Sequence, residues 1–130
     1  MRADLAALLP LDKYDTAKLE QLVEVGYPDI EPLLPALLQW LQDGNWPIAR
    51  RLSPILASVG LPLAPHVRTV LSSSDGAWKY WVLRTVVAAS ADLRGALRPE
   101  IERIAHTPSK DEFAEEVDLY ARELLTEAGE

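Results

Sequence analysis

Metal-assisted or histidine-based chemistry would have to start from His66 and His106, the two histidines of the sequence. Neither belongs to an H-x-x-x-H or H-x-x-E pattern, so no pair of ligands is placed on one helical face. The chain has no cysteine, which excludes disulfides, thiolate nucleophiles and Cys-based zinc or iron–sulfur sites. His106 reads as a helix-end residue, where partial positive charge suits the helix dipole, and His66 as a first-turn or inter-helix residue. Nucleophilic catalysis needs a hydroxyl, a base and an orienting group together, and Ser72-Ser73-Ser74 has no base near it in sequence. Those serines read as a loop and a cap. The six glycines are isolated turn residues, so neither a calcium loop nor a phosphate-cradling loop is present. The expectation is no catalytic residue, no metal site and no cofactor.

Aromatic and cationic residues offer a different chemistry, that of a binding surface. Trp40, Trp46, Trp78 and Trp81 are accompanied by Tyr80 and by Arg50, Lys79 and Arg84. Trp46 and Trp78 open helical segments and are expected chiefly to pack. A cation beside an exposed ring edge makes a recognition surface, so Arg50, Lys79, Tyr80, Trp81 and Arg84 are the candidate binding residues.

Helices must carry these groups, because sustained period-2 alternation is missing and the apolar residues recur at helical spacing. Gly26-Tyr27-Pro28, Asp43-Gly44-Asn45, Gly60-Leu61-Pro62, Ser72 to Gly76 and His106 to Ser109 divide the chain into helix-sized pieces. Asp15, Asp29, Asn45, Asp75 and Ser109 stand where N-caps are expected, and Ser109 with Glu112 forms a capping-box pattern. Ile30-x-Pro32-x-Leu34-x-x-Leu37-Leu38 recurs as Leu63-x-Pro65-x-Val67-x-x-Val70-Leu71 and as Leu97-x-Pro99-x-Ile101-x-x-Ile104-Ala105. A repeat of this length implies two-helix units that bury their apolar faces against one another. The second helices open at Trp46, Trp78 and, more loosely, Phe113. The segment from Trp78 to Ser90 has two adjacent apolar stripes, which makes it the expected centre of the stack. The last helix shows one stripe, Phe113, Val117, Tyr120 and Leu124, against an acidic face of Glu112, Glu115, Glu116, Asp118 and Glu123. The fold expected is all-α: three helical hairpins plus an N-terminal cap helix, a single domain over residues 1–130.

The net charge is −7, which disfavours nonspecific binding to nucleic acid or anionic membranes. The charge is segregated. Residues 50–103 carry 8 basic and 4 acidic side chains, while residues 1–49 carry 3 and 8 and residues 104–130 carry 2 and 8. The apolar run from Leu5 is short and broken by Pro10, so neither a signal peptide nor a membrane span is expected, and the cytoplasm is the expected compartment.

Leu9-Pro10-Leu11-Asp12-Lys13-Tyr14-Asp15, Gly26-Tyr27-Pro28, Trp40 to Ala49 with the block QDGNWP, Asp75 to Leu83 with WKYW, and Glu116-Val117-Asp118 together resemble a bacterial family of small HEAT-like α-superhelical domains without known function. The resemblance implies a HEAT-like fold and no activity, and it supplies no catalytic residue.

The functional expectation is a protein-binding helical-repeat module, an adaptor or an immunity-type partner of a basic protein, acting through its acidic ends or its concave face. The alternative is recognition of a phosphate-bearing ligand or nucleic acid by the basic centre. An enzyme acting on a nucleic-acid base through Trp78, Trp81 and Asp75 ranks last.

Overall fold

The computed structural model describes residues 7–127, so the acidic start at Asp4 and the opening of the apolar run at Leu5 lie outside the described residues. Helices joined by turns and short irregular links make up the fold, and no strand occurs among the described residues. The α-helices are α1 (Leu19–Val25), α2 (Leu34–Gln39), α3 (Pro47–Val59), α4 (Ala64–Leu71), α5 (Gly76–Val82), α6 (Ala91–Ala96), α7 (Arg98–His106), α8 (Lys110–Ala114) and α9 (Val117–Glu127). Short 3-10 turns, Glu31–Leu33 and Leu61–Leu63, lead into α2 and α4, and α5 runs on through a π-helical turn, Leu83–Val87.

The sequence repeat supplies a large part of the core. Every apolar position of the three recurring patterns is at most 3% exposed, from Ile30, Leu34, Leu37 and Leu38 to Leu97, Ile101, Ile104 and Ala105. Pro32, Pro65 and Pro99 each sit in the first turn of their helical segment and face solvent. A proline there sacrifices an N–H that has no intrahelical acceptor, so it fixes the helix start at little cost. Helices distant in sequence pack together: α2 on α4, α3 on the π-helical turn, α5 on α8 and α9, and α7 along α9. Between Trp78 and Ser90 only Arg84 and Ala89 are exposed, as two adjacent apolar stripes require.

Several local expectations are corrected. Asp15 does not cap α1, which begins four residues later at Leu19; its carboxylate instead accepts from the Leu11 N–H at 2.9 Å. Asp29 and Asn45 make no side-chain cap, whereas Asp75 accepts from the Trp78 N–H at 3.1 Å and Ser109 with Glu112 forms a complete capping box. The final segment is two helices, because Glu116 adopts φ 59° and resets the helical phase between α8 and α9. Phe113 therefore leaves the stripe and is 69% exposed, while Val117, Tyr120 and Leu124 are buried. Ser90, expected to end the preceding helix, caps α6 by accepting from the Leu93 N–H at 3.2 Å.

Candidate functional site

The expected binding residues are separated by the fold, with Tyr80, Trp81 and Arg84 on one side of α5 and its π-helical continuation, Lys79 on the other, and Arg50 on α3. Tyr80 and Arg84 are one helical turn apart, so they meet on the same face. The Arg84 guanidinium donates to the Tyr80 hydroxyl at 3.0 Å and lies 5.8 Å from the Tyr80 ring centre and 5.9 Å from that of Tyr120 on α9. Tyr80 meets Trp81 and Tyr120 edge-on, with centroids 5.3 and 5.8 Å apart. Trp81 is half-buried, its ring laid across Gly44 so closely that a Cβ there would stand 2.1 Å from it. Glycine at 44 is thus dictated by the ring. Arg50 is exposed on α3 and makes no ion pair or ring contact with this cluster.

Lys79 is not part of an open basic groove. It points to the other side of α5, is 2% exposed, and places its ammonium 2.8 Å from Asp111 and 2.8 Å from Glu112 of α8. Arg103 of α7 closes the cluster with two bonds to the Glu112 carboxylate, at 2.9 and 2.7 Å, and the Ser109 N–H adds a third donor at 2.8 Å. Burial pushes the Glu112 carboxyl up, yet the donors Arg103, Lys79 and Ser109 overcome that and hold it at about 2, against an ordinary 4.5. Glu112 is fully buried and belongs to this lock, so it is unavailable as a surface acid for a basic partner.

The basic centre is neutralised in the same manner elsewhere. Arg68 pairs with Glu100 at 3.0 Å and Arg98 with Glu102 at 2.9 Å. Together with Lys79 and Arg103, four of the eight cations of residues 50–103 face carboxylates of the protein itself. His66 also meets an acid, with Nε2 3.0 Å from Glu31, which ties α4 to the turn ahead of α2. His106 ends α7 and is exposed. No group of three or more His, Asp or Glu able to hold a metal occurs among the described residues.

A groove that sequence reasoning did not assemble runs from the segment before α1, past α2 and α5, to the end of α8. One cavity of about 310 Å³ is walled by Leu9, Pro10, Gln39, Trp40, Gln42 and Trp46. A second, of about 220 Å³, shares Gln39 and reaches Trp78. A third, of about 620 Å³, shares Gln42 and Trp78 and ends at Asp75 and Glu115. The three cavities adjoin through these shared residues. Trp40 and Trp46 meet edge-on with centroids 6.1 Å apart. The Trp78 indole N–H is held by the Leu38 carbonyl at 2.9 Å, which fixes that ring between α2 and α4. Among the described residues, the indole N–H groups of Trp40 and Trp46 and the carboxamides of Gln39 and Gln42 have no hydrogen-bond partner. The sequence signal was the alternation of Gln39-Trp40 with Gln42 ahead of the Asp43-Gly44-Asn45 turn, where polar amides flank a ring that is only half-buried.

The groove can thus offer flat apolar faces together with free donors and acceptors. Asp75 and Trp78, considered for base chemistry, line it, but Asp75 caps α5 and Trp81 is turned toward Gly44. Among the described residues no helix is long and apolar enough to cross a membrane. No curated protein matches the chain. Residues 8–125 match the family described as a domain of unknown function (DUF5071), which spans the repeat, the groove and the buried ion cluster, and the chain belongs to that family.

Proposed function

We propose that this chain is a non-enzymatic protein-binding module, a HEAT-like superhelix of three hairpins, that seats an extended segment of a partner in the groove of Trp40, Trp46 and Trp78. The contact of α2 with α4 and of α3 with the turn after α5 supports the stacked-hairpin reading, since like elements of successive units adjoin. One observation carries the functional reading: half-buried indoles and exposed carboxamides with unused hydrogen-bonding groups line one continuous, partly apolar groove. Carboxamides both donate and accept, as a peptide backbone does, and indoles supply area with little loss of side-chain freedom. An adaptor or an immunity-type protein would use such a surface.

Phosphate or nucleic-acid recognition by residues 50–103 draws less support, because four of its cations are consumed internally and Lys79 is sealed. The discriminating experiment is selection of displayed random twelve-residue peptides on the full chain. Recovered peptides should lose binding to Trp40→Ala, and also to Gln39→Ala with Gln42→Ala, two exposed positions whose change leaves the core intact. Failure to recover any peptide dependent on these residues, with salt-sensitive polyanion binding abolished by Arg50→Glu and Arg51→Glu, would reverse the ranking.

A further inference from the structure

The groove changes character along its length, and its far end has a chemistry of its own. The cavity of about 620 Å³ beyond Gln42 is lined by Asp75, Asp111 and Glu115 and by no lysine, arginine or histidine. Asp111 is not free charge: it is bonded to Lys79, and the group Lys79, Arg103, Asp111 and Glu112 has two cations against two anions. The net charge of the cavity therefore comes from Asp75 and Glu115. Both are exposed, and neither forms an ion pair among the described residues. One Asp75 oxygen caps the Trp78 N–H, which offsets the positive end of α5 and leaves the second oxygen unused.

The backbone brings Glu115 against the residue that follows Asp75. At Gly76 a Cβ would lie 2.3 Å from the Asp111 carbonyl and 2.9 Å from Cγ of Glu115, so α8 rests directly on the start of α5. That approach, possible only at glycine, lays the Glu115 stem over the residue next to Asp75. Trp78 supplies an aromatic wall to the same cavity. Two unpaired carboxylates beside an indole match a guanidinium, which is planar, stacks on aromatic faces and bridges two oxygen acceptors.

We propose that the partner segment carries an arginine whose side chain enters this cavity between Asp75, Glu115 and Trp78, while the residues preceding or following it lie on Trp40 and Trp46. This rests on the groove reading above and adds the identity of the anchor. Whole-molecule charge acts in the same direction, since a net −7 attracts a basic segment before contact.

The test uses the same displayed twelve-residue peptides, selected in parallel on the wild-type chain and on a Asp75→Asn, Glu115→Gln variant. Asparagine caps a helix as well as aspartate does, and Glu115 is exposed, so the variant keeps the fold, which its unfolding curve verifies. The wild-type pool should be enriched in arginine and the variant pool should not. A synthetic peptide from the wild-type pool should lose about tenfold in affinity on the variant, and a similar factor when its arginine is replaced by citrulline. Replacement by lysine should weaken it less. A pool that needs Trp40 and Gln42 but shows no arginine enrichment, or one indifferent to the variant, overturns this inference and leaves the groove reading in place. Absence of any groove-dependent peptide overturns both.

Discussion

Replacing Glu112 by glutamine removes the charge at the centre of the buried ion cluster and keeps the side-chain shape. In the wild type this carboxylate is fully buried and accepts four hydrogen bonds, two from Arg103, one from Lys79 and one from the Ser109 N–H. Its carboxyl is held at about 2 against an ordinary 4.5. At ~1.4 kcal/mol per unit, that difference amounts to about 3 kcal/mol of stability at neutral pH. Loss of one partner from a buried pair independently suggests about 3–5 kcal/mol, since Lys79 at 2% exposure keeps only Asp111. The sign follows from the depressed value: the contribution is complete above the unfolded-state pKa and is lost as pH falls through the folded one. Urea unfolding between about pH 7 and pH 2 should therefore show a wild-type stability that declines steeply below about pH 4.5, and a Glu112→Gln variant that starts about 3 kcal/mol lower and declines less. A double variant, Lys79→Met with Glu112→Leu, should recover part of the loss. A glutamine variant within about 1 kcal/mol of wild type at pH 7, or one with the full wild-type acid slope, refutes the account of the cluster.

Other consequences follow from single contacts. Gly44→Ala places a Cβ 2.1 Å from the Trp81 ring and should destabilise by about 1–3 kcal/mol in thermal unfolding. Gly95→Ala meets nothing within 4 Å in the helix α6 and should stabilise by about 0.5–1 kcal/mol in the same assay. Asp75→Ala should cost about 1 kcal/mol through the lost cap to Trp78, while Asp75→Asn should be nearly neutral. Arg50→Glu with Arg51→Glu should leave peptide capture by the groove unchanged, as measured by fluorescence anisotropy, because both side chains project from α3 into solvent.

The all-helical fold and its helix starts were legible because their signal is local and repeated. Proline two residues into each pattern and apolar residues at helical spacing specify where a helix starts and which face it buries, three times over. The capping box at Ser109 was equally legible, yet its partner Glu112 was read as surface charge. Nothing near Glu112 in sequence announces Lys79, 33 positions earlier, and only packing of α8 on α5 brings them to 2.8 Å. The break at Glu116 escaped notice for a different reason: a non-glycine residue at φ 59° carries no compositional mark, so the stripe through Phe113 seemed continuous. Of the candidate site, Tyr80 and Arg84 were named as candidates, but their pairing and the part of Tyr120 in it were not legible. The groove depends on contacts between units, so Trp40 and Trp46 could be seen as tryptophans but not as its walls.

The central claim is that Trp40 and Trp46 contact a partner segment while Trp81 serves the fold. The four indole N–H resonances of the full chain, in a proton–nitrogen correlation spectrum, report on it directly during titration with a selected arginine-containing peptide. Trp40 and Trp46, whose N–H groups have no internal acceptor, should shift most, with a smaller movement at Trp78, which stays bonded to the Leu38 carbonyl. Trp81 should stay in place on Gly44. Saturable binding that moves Trp81 and leaves Trp40 and Trp46 unchanged would contradict the account and relocate recognition to the Tyr80, Arg84 and Tyr120 cluster.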